Sequence, residues 1–162
     1  MPDAKDDLIE FLRATFDASA VSVPWTNDEA IVFADYDGHR NYPQVAVVSR
    51  DPVTPGGGNT GITGLDPGDG VGIQDVIYLV LVDCWGGPED DGTYQDHGSH
   101  PDAVAVELAE EVAATCRVGA EGAPAGYEWL WADPPQEADD TEENPTHHRE
   151  QVTVRMKVTY GT

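Results

Sequence analysis

Ile73-Gln74-Asp75-Val76-Ile77-Tyr78-Leu79-Val80-Leu81-Val82-Asp83-Cys84 is the stretch that decides the fold. In an extended chain Val76, Tyr78, Val80 and Val82 fall on one side, and Ile77, Leu79 and Leu81 on the other. A strand apolar on both sides needs cover on both. Helices can cover one face; the other requires a second sheet or another subunit. The last segment alternates in the ordinary way. Val152, Val154, Met156, Val158 and Tyr160 point to one side, and Gln151, Thr153, Arg155, Lys157 and Thr159 to the other.

Around these strands the remaining elements fall into place. Asp3 can cap a helix in which Leu8, Leu12 and Phe16, with Ile9 and Phe11 beside them, hold helical spacing. Ala30–Ala34 reads as a short strand, and Pro43 opens another that runs to Arg50. Ser99 and Pro101 mark the start of a second helix with Val104, Leu108 and Val112, and Ala105, Ala109 and Cys116, along its apolar stripe; Gly119 or Gly122 ends it. Tyr127, Trp129 and Trp131 alternate with Glu128 and Leu130 as a strand that stops at Pro134-Pro135. The expected fold is α+β, with a mixed or antiparallel sheet, two helices packed on one face, and long loops.

Two segments fit no regular element. Pro52–Gly72 holds eight glycines and three prolines in 21 residues, which reads as an arm whose few apolar side chains, Val53, Ile62, Leu65 and Val71, can anchor only on something else. Residues 133–145 read as an acidic loop. The chain as a whole is one domain, 1–162, large enough to bury a core of its own.

Thirty-one Asp and Glu stand against eight Lys and Arg, a formal net charge of −23 spread over the whole chain. Self-repulsion of that size opposes compaction in dilute buffer. At molar salt the Debye length falls to about 3 Å and the penalty fades, so the composition reads as adaptation to a very salty solvent. Sequence-specific DNA binding is disfavoured, because phosphate neutralisation needs Lys and Arg and this chain has too few. The longest apolar run, Val76–Val82, is too short to span a bilayer, and the first residues lack a signal-peptide pattern, so a product that is neither exported nor membrane-bound is expected. Cys84 and Cys116 are expected to be free thiols, because a helix returning along the strand should carry Cys116 out of disulfide reach.

Chemistry is harder to find. Gly56-Gly57-Gly58-Asn59-Thr60-Gly61 lacks the lysine and helix start of a phosphate loop. His97, His100, His147 and His148 lie in stretches read as polar loops, and their spacing supplies no convergent third ligand for zinc. Asp66–Gly70 and Glu89–Gly92 lack the closing glutamate of a calcium loop. No Gly-x-Ser-x-Gly elbow occurs. The Tyr127, Trp129, Trp131 row could stack on bases or sugars, but a core or subunit-facing strand explains it as well. No enzymatic activity, cofactor or metal is expected.

The order of elements brings a resemblance. Pro43-Gln44-Val45-Ala46-Val47 after the first helix, Val76–Val82 leading to the helix Pro101–Cys116, and His148-Arg149 followed by Val152–Tyr160 resemble the tail terminator, or tail completion, proteins of tailed viruses. These are minor neck proteins that join head to tail. With the acidic composition, the resemblance implies a virus of an extremely halophilic archaeon. It further implies a ring of identical subunits, typically a hexamer, seated on the major tail tube protein and docking the head connector proteins. Genomic DNA would pass through its lumen without specific binding, and the protein would reside in the virion after assembly in the host cytoplasm. The expected assembly interface comprises Val53, Ile62, Leu65 and Val71 with Trp129, Trp131, Arg149, Arg155 and Lys157. A head-tail adaptor or head-closure protein of the same neck is the alternative. Outside the neck, the alternative is a halophilic enzyme or ligand-binding domain.

Overall fold

The structure, a computed structural model, describes residues 3–17, 21, 32–33, 35, 42–53, 73–90 and 100–161. Along these residues run α1 (Ala4–Thr15), β1 (Val32–Phe33), β2 (Gln44–Val53), β3 (Ile73–Pro88), α2 (Pro101–Cys116), β4 (Trp129–Ala132), β5 (Gln136–Glu137) and β6 (His147–Gly161). The strands form one sheet in the order β1-β2-β3-β6-β4, with β5 also paired to β6. Among the described residues β1 and β2 pair in parallel and the other pairings are antiparallel. The α+β class expected from the sequence is the one observed.

The long ladder between β3 and β6 is the spine. It runs from Ile73 opposite Gly161 to Pro88 opposite His147, so the doubly apolar strand takes the cleanly alternating strand as its neighbour. Alternation then sorts the side chains. Val76, Tyr78, Val80, Val82 and Cys84 join Val152, Val154, Met156 and Val158 on one face, with Val45 and Val47 of β2 and Leu130 and Ala132 of β4. Both helices cover that face. From α1 come Ala4, Leu8, Ile9 and Leu12, and from α2 come Val104, Leu108, Ala109, Val112, Ala113 and Cys116. Burying each larger aliphatic side chain contributes about 1.5–3 kcal/mol, so this single core carries the fold.

Local chemistry fixes the helix ends. Asp3 caps α1, its Oδ1 accepting from the backbone N–H of Lys5 at 3.1 Å and of Asp6 at 3.3 Å. For α2 the cap is His100, not Ser99, which lies outside the described residues: His100 Nδ1 accepts from Asp102 N at 3.1 Å, and Pro101 occupies the first turn. The helix stops at Cys116, and Gly119 follows with φ of +66°. Gly86 is required by close approach, since a Cβ there would overlap the Pro101 carbonyl. The start of α2 therefore sits directly on the end of β3.

Several expectations need correction. β2 continues through Pro52 to Val53, so the arm begins later than its composition suggests; residues 54–72, with Ile62, Leu65 and Val71, lie outside the described residues, as does the side chain of Val53. The stretch 133–145 is not a plain loop. It contains β5, and Ala138 N donates to Arg149 O at 3.0 Å while Asp140 N donates to His147 O at 2.9 Å, folding it back along β6. His147 and His148 belong to β6 itself, because that backbone pairing extends the strand beyond its apolar alternation. Cys84 and Cys116 are both free and buried, as expected, but in one core and close enough that charge on Cys116 would disfavour charge on Cys84.

Candidate functional site

The sheet's second face carries Ile77, Leu79 and Leu81 of β3, all half-buried, where the opposite face is fully packed. Register sets their neighbours. Thr153 lies opposite Leu81, Arg155 opposite Leu79 and Lys157 opposite Ile77, and one strand further Trp131 lies opposite Arg155 and Trp129 opposite Lys157. Trp131 is 48% exposed, a high value for the largest apolar side chain. Beside it an open hollow of about 330 Å³ is lined by Gly119, Trp129, Leu130, Trp131 and Arg155. Trp129 and Trp131 thus share a face as the alternation predicts, but Tyr127 does not join them. It precedes the strand, enters the core and donates its hydroxyl to Asp7 Oδ2 at 2.6 Å, tying the approach to β4 onto α1.

The cations expected at an interface are already paired within the chain. Arg155 grips Asp133 with Nε and Nη2 at 3.0 Å each, and Asp133 holds the guanidinium pKa above its ordinary value. Lys157 lies 3.0 Å from Glu128. Arg149 donates to Asp83 Oδ2 at 3.1 Å and to Ala138 O at 2.9 Å, and its guanidinium lies 4.9 Å from the centre of the Trp85 ring. Asp83 is almost fully buried and also accepts from Gln151 Nε2 at 2.9 Å. Tyr42 closes this end of the face against Trp85, ring centres 6.5 Å apart. The face is therefore electrically neutral along its ion pairs, within a chain of net charge −23. Arg149 closes one end of it, while Trp131 is exposed and the aliphatic row of β3 is half-buried.

A second gathering of side chains was not legible in the spacing. Glu89 after β3, His100 at the cap of α2 and His148 on β6 each offer a ligand atom within 4.8 Å of the others, as do Asp102, Asp139 and His148. What brings them together is the backbone: Glu89 N donates to Thr146 O at 2.9 Å, Gly87 pairs with His148, and Gly86 seats Pro101. Acids crowd the neighbourhood. Burial first, and then Glu137, Asp139, Asp102 and Glu110, push the Glu150 carboxyl above its ordinary range.

Among the described residues no helix is long and apolar enough to cross a membrane. No protein-family model matches the chain, and a search of curated proteins finds no match.

Proposed function

We propose that this chain is the ring-forming subunit of a viral head-tail junction, of the tail-terminator kind, which ends the growing tail tube and offers the head connector a docking surface. The observation that carries the reading is the sheet's second face: a half-buried aliphatic row, Ile77, Leu79 and Leu81, bordered by the exposed Trp131. Interfaces are rich in such aromatic anchors and poor in unpaired charge at their centres. Elsewhere the net charge of −23 would repel a second copy, whereas here Arg155 and Lys157 are cancelled by Asp133 and Glu128. Self-association through this face buries apolar area, and the exposed carboxylate of Asp51, opposite Leu79 on the same face, is the charge that molar salt must screen. The place of assembly is proposed from the resemblance of the element order to tail terminators; the acidic surface follows from a salty habitat alone and adds no support.

The test is tube capping. Added to polymerising tail-tube protein of the same virus in molar KCl, the chain stops elongation and appears as an extra ring at one tube end in negative-stain images. The Trp131→Glu variant, folded by circular dichroism, does neither. Tubes of unchanged length in the presence of the native chain would reject the reading. A ligand-binding domain is the second reading, favoured by the 330 Å³ hollow beside Trp131. A strictly monomeric chain that retains a small molecule through purification would support it.

A further inference from the structure

We propose that His148, His100 and Glu89 form a binding site for one divalent transition-metal ion of the zinc class, with Asp139 orienting His148. The site is independent of the ring reading and lies at the junction of β3, α2 and β6.

His148 is the centre of the argument. Its Nδ1 lies 3.1 Å from Asp139 Oδ2, and Asp139 is itself fixed, because its Oδ1 accepts from Arg149 N at 2.9 Å. A carboxylate on Nδ1 places the ring proton there and leaves Nε2 as a lone pair. That Nε2 is buried and, among the described residues, has no hydrogen-bond partner. A buried acceptor without a donor is unfavourable, and an imidazole backed by a carboxylate with its far nitrogen free is the arrangement metal-binding histidines use.

Glu89 and His100 each offer a ligand atom within 4.8 Å of a ring nitrogen of His148. The His100 ring stands edge-on to that of His148, centres 5.1 Å apart, and His100 Nε2 lies 4.0 Å from Glu89 Oε1. With bonds of about 2.0–2.2 Å, tetrahedral zinc holds its ligands about 3.4 Å from one another, so atoms now within 4.8 Å of one another must draw together by about 1 Å. Glu89 and His100 are exposed, and His100 can move once its cap bond is released, whereas His148 is held by Asp139. Two imidazoles and one carboxylate suit Zn²⁺ or Co²⁺, with water in the fourth position. Coordination through His100 Nε2 moves that ring's proton to Nδ1, so the cap bond from Asp102 N is exchanged for the metal bond. The ion then clips the start of α2 to the ends of β3 and β6.

The test uses the full, untagged chain, stripped with chelator and titrated with Co²⁺ and then Zn²⁺ in molar KCl, where potassium competes for the acidic surface. One Co²⁺ per chain should bind with the visible absorption of a tetrahedral site, and Zn²⁺ should displace it and raise the melting temperature. His148→Ala should abolish the absorption, and the exposed Glu89→Gln, which disturbs no packing, should weaken binding at least tenfold. Asp139→Asn should weaken it about 10–100-fold without changing the stoichiometry. Failure of the chain to develop the absorption would overturn the proposal, as would uptake of several ions that is equal in His148→Ala. Loss of binding in Asp139→Asn with none in Glu89→Gln would place the ion on the Asp102 side of His148 and overturn this ligand set.

Discussion

Replacing Arg149 by alanine distinguishes a residue that holds the subunit together from one that meets a partner. In the structure its guanidinium neutralises Asp83, whose side chain is only 5% exposed, and also binds Ala138 O and covers Trp85. After the substitution Asp83 keeps Gln151 Nε2 as its hydrogen-bond donor and no cation. Removing one partner of a buried pair costs about 3–5 kcal/mol, because the other charge remains out of water. In a domain of this size 1 kcal/mol lowers the melting temperature by about 2–4 °C, so Arg149→Ala should melt about 6–20 °C below the native chain. The control is Lys157→Ala. Its partner Glu128 is 45% exposed, so the loss should be about 0.2–1 kcal/mol. Circular-dichroism melts in molar KCl measure both. Adding Asp83→Asn to Arg149→Ala should recover part of the loss, since it removes the unpaired charge. An Arg149→Ala chain that melts with the native protein but no longer self-associates would put Arg149 in a subunit interface and refute the reasoning.

Salt should act in the opposite sense to its usual effect on ion pairs: with a net charge of −23, the melting temperature rises steadily from about 0.1 M to molar KCl as the Debye length falls from about 10 Å to 3 Å. A flat salt series would remove the habitat argument. Burial pushes the Cys116 thiol up to about 12 and raises that of Cys84 well above its ordinary 9.0, so neither should react with a thiol reagent at neutral pH until the chain unfolds. Because both are raised, their contribution to stability is fully present below about pH 9 and is lost as pH climbs towards 12. Melts across that range that show no decline would contradict this.

The parts of the fold legible in the sequence are those in which one face decides the matter. Leu8 and Leu12 in α1, Val104, Leu108 and Val112 in α2, and the alternation of β6 all announce which side is buried, and each lies in the core. The second face was foreshadowed by Ile77, Leu79 and Leu81, since a strand apolar on both sides needs a second cover. Ion pairing was not legible. Arg155 with Asp133 and Arg149 with Asp83 depend on strand register and on the fold-back of β5, which no spacing along the chain encodes. The same is true of the histidines. His100 and His148 meet only because β6 runs past its apolar stretch to pair with Gly87 and Pro88, while Gly86 admits the start of α2. The strand period places Tyr127 with Trp129 and Trp131, but β4 begins only at Trp129, two residues later.

The most direct measurement of the central claim is the mass of the purified chain by light scattering in molar KCl, native and Trp131→Glu side by side. The account predicts a closed assembly of the native chain, about 104 kDa for six copies of 17.4 kDa, and a folded monomer for the variant. A native chain that stays monomeric at every concentration, or a Trp131→Glu variant that assembles as the native does, would contradict it.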